Sequence, residues 1–116
     1  MKKFFTTLLI ILLNQINAQQ EFLGNWSSNG LATDISVSMV ENKINVNSVS
    51  SVSGNPLQTT EIRYNKNKLY LKNNYVPNNW KTNVVFVVKD EKTLMASIVN
   101  MNGIFEIEYV KKEWNV

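Results

Sequence analysis

Residues 83–110 read "NVVFVVKDEKTLMASIVNMNGIFEIEYV". Apolar side chains recur at alternate positions around two breaks, "KDEK" at 89–92 and "MNG" at 101–103. A period of two marks half-buried strands, because successive side chains of an extended chain point to opposite faces. The breaks supply the turns. Asn102-Gly103 is a strong hairpin signal, since both residues tolerate the positive φ that a type I′ turn demands. A two-residue turn there pairs Asn100 with Phe105, Ile98 with Ile107 and Ala96 with Tyr109. A three-residue loop over 90–92 pairs Val88 with Leu94, Phe86 with Ala96 and Val84 with Ile98. One face of the resulting meander is apolar, and the other carries Lys81, Glu106 and Glu108.

The same reading extends towards the N-terminus. Strands are predicted at 22–28, 32–40, 43–51, 57–65, 68–75, 80–89, 93–101 and 103–111. No amphipathic helical stretch of ten residues interrupts them. A turn at Glu41-Asn42 pairs Met39 with Ile44 and Val37 with Val46. A turn at Lys66-Asn67 pairs Tyr64 with Leu69 and Ile62 with Leu71. Asp34, Ser36, Asn45, Glu61, Arg63, Lys68 and Lys72 fall on the polar face. Eight sequential antiparallel strands with a wet outer face predict an all-β, eight-stranded up-and-down barrel. A two-sheet sandwich is the alternative. A membrane barrel would reverse the alternation and turn these charges towards lipid, so membrane embedding is not expected.

Residues 1–18, "MKKFFTTLLIILLNQINA", have the layout of a secretory signal peptide: two lysines, the apolar run Phe4–Leu13 and a polar stretch ending in Ala18. The apolar run is well short of the roughly 20 residues that span a bilayer. A retained N-terminal anchor is the other reading. The sequence contains no Cys, which excludes lipidation of a cysteine at the cleavage point. The expectation is one domain over 19–116, exported to the periplasm or beyond the cell. Its core is lean and no disulfide supports it. Removing Lys2 and Lys3 takes the formal charge from +3 to +1, so no nucleic-acid partner is indicated. With neither His nor Cys, triad and thiol catalysis, the usual zinc sites and thiol redox centres are excluded. Glu106 and Glu108 sit on the wet face, so no enzyme, metal or cofactor is expected.

Gly24-Asn25-Trp26 opens the first strand of this eight-strand meander. The combination resembles the calycin group, which includes lipocalins, fatty-acid-binding proteins and avidins. The resemblance implies that Trp26 packs across a closed barrel base beneath a cation from near the chain end, Lys111 or Lys112. Lipocalins use Arg there, whose planar surface Lys lacks. "GNWSSNGLATDI" is loosely similar to the avidin opening, although the further tryptophans of that family's pocket have no counterpart here. Small periplasmic protease-inhibitor barrels share the size and the Gly-x-Trp but normally carry a disulfide.

Strand parity separates the two ends. "ENK", "NKNK" and "KDEK" gather at one end; "SSNG", "VSGNP", "NNYVPNN" and "NG" gather at the other. Inward positions near the charged end are apolar. Near the Asn-rich end they become Thr33, Ser48, Ser50, Thr60, Asn73, Thr82 and Asn100, with Tyr75, Trp80 and Phe105. An unpaired buried polar group costs roughly 1–3 kcal/mol, so a ring of them fits a hydrated mouth better than a filled core. These ten residues are the expected site for a small uncharged ligand, with "YVPNNW" as its gate. The bland alternative is that they bond only to one another. A second surface competes for the function: Val85, Val87, Met95, Val99, Met101 and Ile104 form an apolar outer patch suited to self-association or a protein partner. A loop, or the "KKEWNV" tail with Trp114 as a plug, is the alternative cover for that patch.

Overall fold

The computed structural model describes residues 19–112. The predicted signal peptide over 1–18 and Trp114 of the tail lie outside them. Eight strands follow one another: β1 (Gly24–Ser27), β2 (Thr33–Val40), β3 (Lys43–Ser50), β4 (Pro56–Asn65), β5 (Lys68–Tyr75), β6 (Trp80–Asp90), β7 (Thr93–Asn100) and β8 (Gly103–Lys112). They close into an antiparallel barrel in sequence order, β8 returning to β1 through the Trp26–Lys111 pair and its two neighbours. The sandwich alternative is thereby set aside.

Turn chemistry explains two registers. Glu41, Asn42, Lys66 and Asn67 all have positive φ, which matches the twist of the flanking strands in tight hairpins. Met39 faces Ile44 and Tyr64 faces Leu69, as the alternation predicts. Val88 faces Leu94, but β6 continues to Asp90, which pairs with Thr93, and Lys89 is bulged. The connection is therefore a two-residue turn plus a bulge, not a three-residue loop.

Two further sequence expectations need correction. In the last hairpin Asn100 pairs with Gly103, Ile98 with Phe105 and Ala96 with Ile107. The register is two residues from the Asn102-Gly103 reading. The Asn100 side chain captures the Asn102 N–H at 2.8 Å, which places the turn on Met101-Asn102 and leaves Gly103, at φ +131°, to begin β8. A slip of two preserves side-chain parity, so the faces survive. The other correction changes a face. A bulge between Thr59 and Glu61 shifts the β4–β5 ladder, so Thr60 lies exposed outside and Thr59 turns inward.

The interior is apolar through the middle and lower barrel, with Trp26, Ile35, Leu69, Leu71, Phe86, Leu94 and Tyr109 almost fully buried. The N-terminal turn closes the base. Phe22 is buried and meets Tyr64 edge-on at 6.0 Å, while its carbonyl accepts a 2.9 Å bond from Trp26 Nε1. Lys111 Nζ lies 5.4 Å from the centre of the Trp26 ring. Gly24 makes room for it: a Cβ there would approach Lys111 Cε to 2.8 Å. Burial raises the Tyr64 phenol above its ordinary value, with the Glu21 charge adding to the effect. β3 and β4 are ladder partners at two positions only, Ser48–Leu57 and Val49–Pro56, so the barrel parts along this seam towards the base.

Candidate functional site

The opposite end is open. The connections over 28–32, 51–55, 76–79 and 101–102 surround a cup of about 710 Å³. Its volume is within the range of small-molecule sites. None of the residues lining it is charged.

Cross-strand registry builds the walls. Tyr75 is the partner of Trp80, and one layer deeper Asn73 is the partner of Thr82, all on β5 and β6. The 76–79 turn therefore sets two aromatic side chains next to each other at the rim, above an amide and a hydroxyl. Thr33 and Ser50 are partners on β2 and β3. Asn100 and Phe105 contribute from β7 and β8, and Leu57, Val84, Ile98 and Ile107 supply apolar wall. Tyr109 forms the floor. Its ring meets Phe86 edge-on at 5.1 Å, and its hydroxyl is 2.7 Å from Thr33 Oγ1 and accepts a 3.3 Å bond from the Thr33 N–H. Burial raises the Tyr109 phenol above its usual range, so it is neutral near pH 7.

Of the ten residues expected at the mouth, Thr33, Ser50, Asn73, Tyr75, Trp80, Thr82, Asn100 and Phe105 line the cup. Ser48 and Thr60 do not. Ser48 lies one layer below Ser50, buried between Ile35 and Leu57, with its hydroxyl unpartnered among the described residues. Thr60 is outside because of the bulge and donates to the Lys72 carbonyl at 3.2 Å. In its place Thr59 Oγ1 donates to Asn73 Oδ1 at 2.8 Å. Sequence reasoning missed Tyr109 as the floor, although its inward parity was legible. It did not single out Ser53 and Asn78, although it placed their loops, "VSGNP" and "YVPNNW", at this end, because no periodicity points to individual loop positions.

The rim is braced. Asn55 Nδ2 donates to the Tyr75 hydroxyl at 3.0 Å, and Ser53 Oγ lies 3.3 Å from the same oxygen. These contacts tie the 51–55 loop to β5 and hold the Tyr75 phenol below its ordinary value.

Among the described residues no group of His, Cys, Asp or Glu could hold a metal ion. On the outer face Val87, Val99, Met101 and Ile104 are exposed, whereas Val85 and Met95 are half-buried. Val87 pairs with Met95 and Val99 with Ile104, so these residues form a continuous strip. The Lys72–Glu61 and Lys89–Glu108 ion pairs, each at 3.3 Å, lie on the same outer surface.

Compared with protein-family models, with curated proteins and with solved structures, the chain matches none.

Proposed function

We propose that this is an exported, non-enzymatic binding protein that holds a small uncharged molecule in the cup. The observation that carries this reading is the uncharged cup, with Tyr75 and Trp80 paired at its rim. Apolar walls with a few converging polar groups are what a small-molecule site requires. The Lys111-covered Trp26 beside Gly24 supports a lipocalin-like reading of the barrel within the calycin group.

The test is intrinsic fluorescence and thermal shift of the purified protein against neutral sugars, vitamins and short lipids. A saturable signal with a raised melting temperature, both lost in Trp80→Ala, is the expected result. Silence across the panel from a stable, monodisperse barrel would refute the reading.

The exposed strip of Val87, Val99, Met101 and Ile104 favours a second reading, a protein-interaction or inhibitor module working through the outer face of β6–β8 or through the loops. Val87→Lys or Val99→Lys would then abolish association and leave small-molecule binding intact.

A further inference from the structure

We infer that the cup selects hydrogen-bond acceptors, so its ligand is a flat, uncharged molecule bearing a ring carbonyl and not a polyol; this rests on reading the cup as the ligand site. Four asparagines line the cup, and three of them, all but Asn102, have their carbonyl oxygens already engaged. Asn78 Oδ1 accepts from the Trp80 N–H at 3.0 Å, Asn100 Oδ1 from the Asn102 N–H at 2.8 Å, and Asn73 Oδ1 from Thr59 Oγ1 at 2.8 Å. A backbone N–H can only donate, so at Asn78 and Asn100 the oxygen must face it and the NH2 group is turned away. None of the three Nδ2 atoms bonds to a described residue. Asn73 is the deepest, with 4% exposure.

The hydroxyls lean the same way. Ser50 Oγ accepts from the Ser53 N–H at 3.3 Å, which leaves its proton to donate. On the floor Tyr109 and Thr33 share one hydrogen bond between their hydroxyls, which leaves one of the two protons to donate. The cup thus offers N–H and O–H groups over apolar wall, and these donors outnumber its free acceptors, among them the Asn102 amide oxygen and the Thr82 hydroxyl. A sugar would bring as many protons as lone pairs and leave several protons unpartnered, each at the expense of its lost water. An anion would match the donors, but no lining residue is a cation, and burying an uncompensated charge is strongly unfavourable. A neutral carbonyl on a flat ring fits both constraints, with Trp80, Tyr75 and Phe105 providing aromatic surface for the ring.

The test uses three probes on the purified protein by calorimetry: coumarin, a flat lactone; naphthalene, of similar shape without an acceptor; and methyl β-glucoside, a polyol. Coumarin is expected to bind at least tenfold more tightly than either of the others. Asn100→Asp keeps the oxygen that the Asn102 N–H needs and removes the NH2 group. It should weaken coumarin at least tenfold and leave naphthalene within about twofold. Asn73→Asp would bury an uncompensated charge and disturb both probes, so Asn100→Asp at the half-buried rim decides the matter. Coumarin binding no tighter than naphthalene or the glucoside, with that binding lost in Trp80→Ala, overturns acceptor selection and leaves the cup a binding site. Unchanged coumarin affinity in Asn100→Asp overturns the donor assignment. No binding of any probe overturns the inference, and the wider panel then judges the cup on its own.

Discussion

The two ends of this barrel are built from the same eight strands and treat polar groups in opposite ways. At the base, the Trp26 indole N–H is bonded to the Phe22 carbonyl, and Lys111 lies over the indole face in space left by Gly24. At the mouth, the amide nitrogens of Asn73, Asn78 and Asn100 have no partner among the described residues. The connections differ accordingly. Base turns are two residues long and charged, whereas three of the four mouth connections span four or five residues and all four are uncharged. A small barrel without disulfides needs one end packed as core, and only the other end is then free to leave hydrogen bonds unmade.

The sharpest way to break this comparison is to truncate one tryptophan at each end. Trp26 is almost fully buried, and removing a buried Trp typically costs about 3–5 kcal/mol through lost contacts and a cavity. That is a large part of the stability of a domain this size. Trp80 is only half-buried at the rim, and its truncation should cost less than about 1 kcal/mol. Urea unfolding of Trp26→Ala and Trp80→Ala measures both. Equal losses would mean that the mouth is as integral to the core as the base.

Gly24 sharpens the base side. Its φ is +130°, where residues with a Cβ are strained by about 1–3 kcal/mol, and the added Cβ would also press on Lys111. Lys111 is the end of a flexible side chain, so the backbone term should dominate. Gly24→Ala is expected to destabilise by about 1–3 kcal/mol, and adding Lys111→Ala should recover little of it. Full recovery in the double variant would show that the Lys111 contact, and not the backbone, is what requires glycine.

What the sequence made legible follows the same division. Alternation and turn residues were sufficient for the Met39–Ile44 and Tyr64–Leu69 pairs next to the base turns, and the Val88–Leu94 pair also stands although the bulge at Lys89 went unread. Near the mouth the reading held less well. Alternation cannot detect a slip of two, so the β7–β8 register was misplaced although every face was right. A bulge breaks parity without any compositional signal, and it exchanged Thr60 for Thr59. Ser53 and Asn78 are loop residues whose placement depends on tertiary closure. The orientation of the asparagine amides depends on local captures, Asn100 to Asn102 and Asn78 to Trp80, that only the folded turns establish.

Titration tests the floor that divides the two ends. Burial raises the Tyr109 phenol above its ordinary 10.0, so the folded state favours its neutral form. That contribution is complete below pH 10, where the unfolded chain is also protonated. It is lost as pH rises from there through the folded-state value. Tyr64 has the same sign, so Tyr109→Phe should reduce the alkaline loss of stability without abolishing it. Asp90 has the opposite sign. The Lys92 N–H is the largest cause holding its carboxyl below 3.8, so its contribution is present above that value and fades as pH falls through the folded-state value. Chemical denaturation across pH checks both, and an alkaline limb unchanged in Tyr109→Phe would contradict the buried floor.

The smallest effect on stability is expected where the mouth is braced. The Tyr75 hydroxyl accepts from Asn55 and contacts Ser53 in exposed bonds, and exposed hydrogen bonds of this kind add little to global stability. Tyr75→Phe should therefore shift global unfolding by less than about 0.5 kcal/mol. Locally the effect should be larger, because this oxygen connects the 51–55 loop to β5. Limited proteolysis should cut that loop several-fold faster in Tyr75→Phe, with the 41–42 and 66–67 turns at the base unaffected. Loop opening without global loss would show that Tyr75 holds the loop; equal protection in both proteins would show that the loop is held by its own backbone bonds, Ser50 N–H to Asn55 and Gly54 N–H to Ser50, and that Tyr75 only rests against it.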